Sequence, residues 1–168
     1  MNTHLLGIEQ SYASPLAENE LLINKLGIEI ITRQPGRLVG TMPVGGNRQP
    51  VGILHGGANA VLAETLGSLA ALDHAGPDGQ AVGLDLSCTH HRWVAAGMVI
   101  GVCTPLHEGH STATYEIVIS DDSGRRVCTA RLTCATTRRL ARRDPGTGRP
   151  RNLGTTEKPG LVEPRERP

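Results

Sequence analysis

The stretch Ile53-Leu54-His55-Gly56-Gly57-Ala58-Asn59-Ala60-Val61-Leu62-Ala63-Glu64-Thr65-Leu66-Gly67-Ser68-Leu69-Ala70-Ala71-Leu72 decides how this chain folds. Ala58, Val61, Leu62, Leu66, Leu69 and Ala70 recur at three- and four-residue steps, the period of a helix face, so one long helix is expected here. Glu64 is its single charged residue, and Ala60, Val61, Gly67 and Ser68 are its neighbours at three and four positions. A carboxylate on a helix that is apolar almost all round loses solvation, so its pKa is expected to rise unless a partner compensates. That makes Glu64 a candidate functional group. From composition alone, an exposed edge position or an ion pair with an arginine fits it equally well. Ser68, one turn on, is placed to hold a water beside it, or is simply a small residue that permits close packing.

At the amino end of this helix, Gly56 and Gly57 put two residues without side chains where backbone N–H groups lack intrahelical partners. Such donors, with the helix dipole, suit a developing oxyanion; Gly-Gly is also an ordinary loop-to-helix turn. Glu64 lies about 12 Å along the axis from Gly56 at about 1.5 Å per residue. One reacting carbon does not reach both within one subunit. A two-fold dimer would bring the Glu64 of one copy to the Gly56 of the other.

Outward from the helix, the pattern changes to strands. On the amino-terminal side, Leu21, Leu22 and Leu26 suit a short helix over 18–26 closed by Gly27. Residues 28–32 and 37–43 then read as an antiparallel pair joined at Gln34-Pro35-Gly36, and residues 45–52 form a loop. On the carboxyl side, Val82, Leu84, Leu86 and Cys88 alternate with Gly83, Asp85, Ser87 and Thr89, and His90 continues the apolar face. Residues 98–105 and 112–120 are further strands. Asp121-Asp122-Ser123-Gly124 turns into a last strand in which Cys128, Ala130, Leu132 and Cys134 share a face. An antiparallel sheet wrapped around one long apolar helix, an α+β fold, buries both apolar surfaces.

The 168 residues suit one folding unit, with Phe absent and a core of Leu, Val, Ile and Ala expected. Residues 138–168 carry nine Lys/Arg, four Asp/Glu and five prolines without apolar periodicity, and are expected to stay unfolded. The expected organisation is an extension over 1–17, a folded domain over 18–137 and a basic tail over 138–168. The tail could touch nucleic acid or an acidic partner, but reads more simply as a solvated extension. No run of about 18 uncharged apolar residues and no signal-peptide pattern occurs, so a cytoplasmic protein without a membrane or nucleic-acid partner is expected. The cysteines at 88, 103, 128 and 134 form no CxxC pair and suit buried small hydrophobes. The histidines are scattered, and no metal site is expected.

The run from Gln49 to Ser68, together with Val82-Gly83-Leu84-Asp85 leading to His90 and Gly101-Val102-Cys103-Thr104-Pro105-Leu106-His107, resembles the hotdog-fold acyl-CoA thioesterases. The likeness is to their PaaI-like and Arthrobacter-type 4-hydroxybenzoyl-CoA branch, close to bacterial aroyl-CoA and 1,4-dihydroxy-2-naphthoyl-CoA thioesterases. It covers roughly residues 20–137 in element order. The resemblance implies a hotdog fold and hydrolysis of an acyl-CoA, aromatic in its acyl part, to free acid and CoA. Coenzyme A is then part of the substrate and no cofactor is needed. It implies Glu64 as nucleophile or general base, Gly56 and Gly57 at the carbonyl, Gln49 and His55 as supports, and Ser68 as holder of the hydrolytic water. His90 would line the acyl pocket, and Ser111, Thr112 and Arg92 would contact the nucleotide phosphates. Homodimers with intersubunit sites, pairing into tetramers, are implied too. Trp93 departs from the small or polar residue usual at its position. Two other functions are possible on this fold. One is a hydratase using Asp85 and His90, although Ser87-Cys88 replaces the Asn-Pro usual between them; the other is a non-catalytic acyl-CoA-binding regulator.

Overall fold

The computed structural model describes residues 17–137; the expectations for the amino-terminal extension up to residue 16 and for the basic tail lie outside them. A 3-10 turn over Glu18–Glu20 precedes a four-residue helix α1 (Leu22–Lys25). Strands β1 (Glu29–Gln34) and β2 (Arg37–Pro43) form the expected hairpin, with Gly36 at the turn at φ 74°. Helix α2 (Gly56–Ala75) follows, then β3 (Gln80–His90), β4 (Met98–Glu108), β5 (Thr112–Asp121) and β6 (Arg126–Thr137). All pairings are antiparallel, in the order β1-β2-β4-β5-β6-β3. This is the hotdog arrangement, one sheet wrapped on one long helix.

Three differences from the sequence reading have physical causes. The long helix opens at His55, its N-cap, as expected, but runs three residues past Leu72, because Gly76, at φ 85°, is its C-cap. The amino-terminal helix is a single turn, and Leu22 faces outward while Ile23 and Leu26 pack on the core. Third, the apolar face expected along β3 is broken. Its register against β6 shifts between Gly83 and Asp85, a bulge that leaves Leu84 unpaired. Leu86, Cys88 and His90 stand opposite the buried Leu132, Ala130 and Cys128, whereas Val82 and Leu84 turn outward and are exposed.

Helix and sheet approach closely where side chains are missing. Gly40 and Gly101 are register partners on β2 and β4, and a Cβ at either would lie within 2.8 Å of the Leu66 side chain. They form a notch that receives Leu66. Around it Leu62, Met42, Val99, Ile117 and Leu132 close the core. The largest buried side chain is aromatic, contrary to the composition-based expectation: Tyr115, whose hydroxyl donates to Glu108 Oε1 at 3.0 Å. Cys103, Cys128 and Cys134 are buried and Cys88 half-buried, all as free thiols.

Candidate active site

The loop before α2 is fastened by its own backbone. Gln49 N–H donates to the Ile53 carbonyl at 2.8 Å, Gly52 N–H to that of Gln49, and Leu54 N–H to that of Val94. Asn47, which the sequence reading passed over, donates through Nδ2 to the carbonyls of Leu26 and Pro43, tying this loop to α1 and β2. The result is a rigid entry into the helix.

His55 caps that entry. Its Nδ1 accepts from Gly57 N–H at 2.8 Å, so one of the two glycine donors is consumed inside the protein. An Nδ1 that accepts is unprotonated, which puts the proton of the neutral ring on Nε2. The imidazole therefore offers an N–H donor from an exposed position. The Gly56 N–H has no hydrogen-bond partner among the described residues.

Gly56 and the His90 ring are neighbours: a Cβ at Gly56 would lie 3.0 Å from His90 Nε2. Around them a cleft of about 430 Å³ is lined also by Gln49, Asn59, Arg92 and Trp93. Gln49, Gly56, His90 and Arg92 are thus brought together. Trp93, 71% exposed, stands at the rim. Asn59 was not singled out in the sequence; it is 3% exposed, and its Oδ1 lacks any hydrogen bond.

Glu64 faces a different groove. About 340 Å³ in volume, it is lined by Leu22, Ala60, Val61, Thr65, Ser68 and Leu86. The carboxylate is half-buried and accepts from Ser68 Oγ at 3.0 Å. Behind it lies Gly83, where a Cβ would come within 2.5 Å of Glu64 Oε1. The bulge in β3 thus turns a residue without a side chain towards the carboxylate. Gly56 and Glu64 do not share a cleft within one chain.

Ser111 and Thr112 lie elsewhere. They follow Gly109, whose carbonyl is 2.8 Å from His74 Nε2 in the last turn of α2, at the end of the helix remote from Gly56. Neither lines either cleft. Near that end is a larger cavity of about 570 Å³, whose polar groups include Arg33, Asp73, His74 and Glu108. Those groups are engaged within the protein: Arg33 pairs with Asp73 through two nitrogens, His74 Nε2 meets the Gly109 carbonyl, and Glu108 accepts from Tyr115. Among the described residues no group of three or more His, Cys, Asp or Glu could hold a metal ion. No helix there is long and apolar enough to cross a membrane.

Comparison with known proteins gives the chain's family. The family model described as "Thioesterase superfamily" matches residues 51–128, a span that holds both clefts' helix residues. The proofreading thioesterase EntH of Cronobacter turicensis is 51% identical over 116 residues, 68% of this chain and 84% of that one. EntH of Klebsiella pneumoniae is 46% identical over 117 residues, 69% and 85% of the two chains. Among solved structures, a mutant of the thioesterase PA1618 from Pseudomonas aeruginosa superposes with a TM-score of 0.66 at 36% identity, covering 71% of this chain and 87% of its own. The thioesterase HI1161 from Haemophilus influenzae gives 0.65 at 35%, covering 73% and 86%.

Proposed function

The chain belongs to the thioesterase superfamily and is a thioester hydrolase, and from that premise we propose that it hydrolyses aromatic acyl-CoA thioesters in sites shared between two copies, with Glu64 as the catalytic carboxylate. The observation that carries this reading is the separation of Glu64 from the free Gly56 N–H into two clefts of one chain, each holding half of what thioester hydrolysis requires. At the first cleft the Gly56 N–H, at the positive end of α2, receives the carbonyl oxygen as negative charge develops on it. Gln49 lines the same cleft, and His55 caps the helix end through its bond from Gly57 N–H. The second copy supplies Glu64, oriented by Ser68, which either attacks the carbonyl carbon or removes a proton from attacking water. On the general-base route CoA leaves as the thiolate and takes the proton that Glu64 accepted from water; on the nucleophile route it takes a proton from solvent, and water then opens the acyl–Glu64 anhydride to the free acid. The rings of His90 and Trp93 favour a planar acyl group, and the nucleotide phosphates, a pantetheine arm away from the thioester, fall to Arg92, Ser111 and Thr112.

A hydratase reading is not favoured. Asp85 stands opposite Thr133 on the outer face, where its carboxylate lies 3.8 Å from Arg131 Nη2, while His90, five residues on and opposite Cys128, points to the helix side. The two residues a hydratase would pair are on opposite faces.

The test is release of CoA from benzoyl-, hydroxybenzoyl-, dihydroxynaphthoyl- and straight-chain acyl-CoA by wild type and Glu64→Ala. Aroyl turnover abolished in a variant of unchanged thermal stability is expected; near-wild-type turnover in Glu64→Ala would sink the assignment. Mixing inactive Glu64→Ala with inactive Gln49→Ala tests the shared site. Heterodimers would each carry one intact site, restoring about a quarter of wild-type activity after random exchange, and no recovery despite exchange would place both residues in one subunit's site.

A further inference from the structure

We infer that Asn59 is the residue that selects the acyl group, by hydrogen bonding to a polar substituent such as a ring hydroxyl on the acyl part of the substrate. The inference rests on reading the Gly56 cleft as the acyl site. Its own observation is independent: a residue 97% buried, lining the cleft, whose amide oxygen accepts no hydrogen bond among the described residues.

Buried polar groups in folded proteins nearly always have partners, because an unpaired amide loses its water and gains nothing in return. Asn59 is the only residue with such a buried, unpartnered side-chain oxygen among those described. It is the fourth residue of α2, past the N-cap position that favours asparagine, which His55 holds. Neither burial, helix formation nor a local bond accounts for it. Its position does: Asn59 is one turn from Gly56 on the same helix face, and both line the cleft with His90. A carbonyl held at the Gly56 N–H leaves the rest of a planar acyl group running past Asn59. An amide can both donate and accept, and a half-turn about its last torsion exchanges the two ends with no protein bond to break. A phenolic hydroxyl, also donor and acceptor, is the matching partner, and an unsubstituted ring leaves the amide unpaired. Discrimination therefore falls on the substrate that lacks the group.

The experiment compares kcat/KM for hydroxybenzoyl-CoA isomers and benzoyl-CoA in wild type, Asn59→Leu and Asn59→Ala. Wild type should prefer at least one hydroxylated isomer by about tenfold or more, and both variants should lose that preference. Thermal melts provide a readout that a structural role would move the other way. A residue holding nothing in the fold can be replaced without lowering the melting temperature, whereas a structural asparagine cannot. Trp93 is the only tryptophan in the chain and stands on this cleft, so quenching of its fluorescence by free hydroxybenzoate and by benzoate measures binding without turnover. An unchanged preference in both variants overturns the inference, as does a fall in melting temperature with both substrates equally affected. If wild type hydrolyses no aroyl-CoA, the functional reading fails by itself. Asn59 is then judged by the titration: selective hydroxybenzoate quenching lost in Asn59→Leu supports it, and equal quenching by both acids overturns it.

Discussion

Replacing Gly83 by alanine should disable the enzyme while leaving it folded. The added methyl would stand 2.5 Å from Glu64 Oε1 and 3.3 Å from the carboxyl carbon. Non-bonded carbon and oxygen do not approach that closely, so something must move by about 1 Å. The atom in the way is the far end of a flexible side chain, and Gly83 has ordinary strand φ on an edge strand, so the carboxylate gives way and the backbone does not. Stability should change by no more than about 0.5 kcal/mol, as for other surface substitutions. Displacement breaks the 3.0 Å bond from Ser68 and takes Glu64 off the line of attack proposed for it. A misplacement of about 1 Å in a positioned catalytic group costs on the order of 100-fold in rate. The assay is CoA release from an aroyl-CoA under saturating substrate, beside a thermal melt. A fall in kcat of about that size with KM and melting temperature little changed is expected. Wild-type kcat in folded Gly83→Ala would refute the reasoning, because the Glu64 conformation seen against Gly83 would then not be the working one.

Other consequences can be checked on the purified protein. Gly67→Ala should destabilise: its Cβ would meet Leu132 Cδ2 at 2.5 Å in the closed core, and overpacking of about 1–3 kcal/mol outweighs the roughly 1 kcal/mol that alanine adds to a helix, so melting should drop by several degrees. Asp121, whose carboxylate takes the Arg125 guanidinium and the backbone N–H groups of Ser123 and Arg125, is held below its ordinary pKa of 3.8, chiefly by Arg125. Its stabilisation is present above about pH 4 and is lost as pH falls through the lowered folded value, so Asp121→Asn should melt below wild type at pH 6 and converge with it under strongly acid conditions. Burial pushes the thiols of Cys103 and Cys128 up to about 12 and raises those of Cys134 and Cys88. In native protein at pH 8 a thiol reagent should therefore label the half-buried Cys88 first and spare Cys103 and Cys128 until the chain is unfolded.

Much of the fold was legible because it is written in local periodicity. The β1–β2 hairpin, the long helix opening at His55 and the shared face of Cys128, Ala130, Leu132 and Cys134 all follow from steps of two or of three and four residues. What was not legible depends on residues far apart in sequence. The notch that seats Leu66 needs Gly40 and Gly101 to meet across β2 and β4, and neither glycine carries a local signal of it. Glu64 stood out as the lone charge on its helix stretch, but its companion Gly83 did not. Asn59 looks unexceptional in Gly57-Ala58-Asn59-Ala60, since nothing in a sequence tells that an amide will be buried without a partner.

The strand β3 shows why alternation alone misled, and what the irregularity accomplishes. Strict alternation puts Val82 and Leu84 on the face of Leu86 and Cys88. The single unpaired residue at Leu84 reverses the phase, so that Gly83 takes the inward position beneath Glu64 and the two apolar side chains turn out. Had alternation held, an inward Val82 or Leu84 would occupy the space of the carboxylate. The same bulge therefore makes room for Glu64 and lays Val82 and Leu84 on a strand that ends the sheet, with its outer edge unpaired among the described residues. Proteins seldom leave such an edge bare, because its free N–H and carbonyl groups and its apolar side chains invite another strand. A second copy meeting the first there would cover the edge close to Glu64, which is where the proposed mechanism needs the other copy's Gly56. One extra residue in one strand would then serve both the carboxylate and the pairing that completes its site.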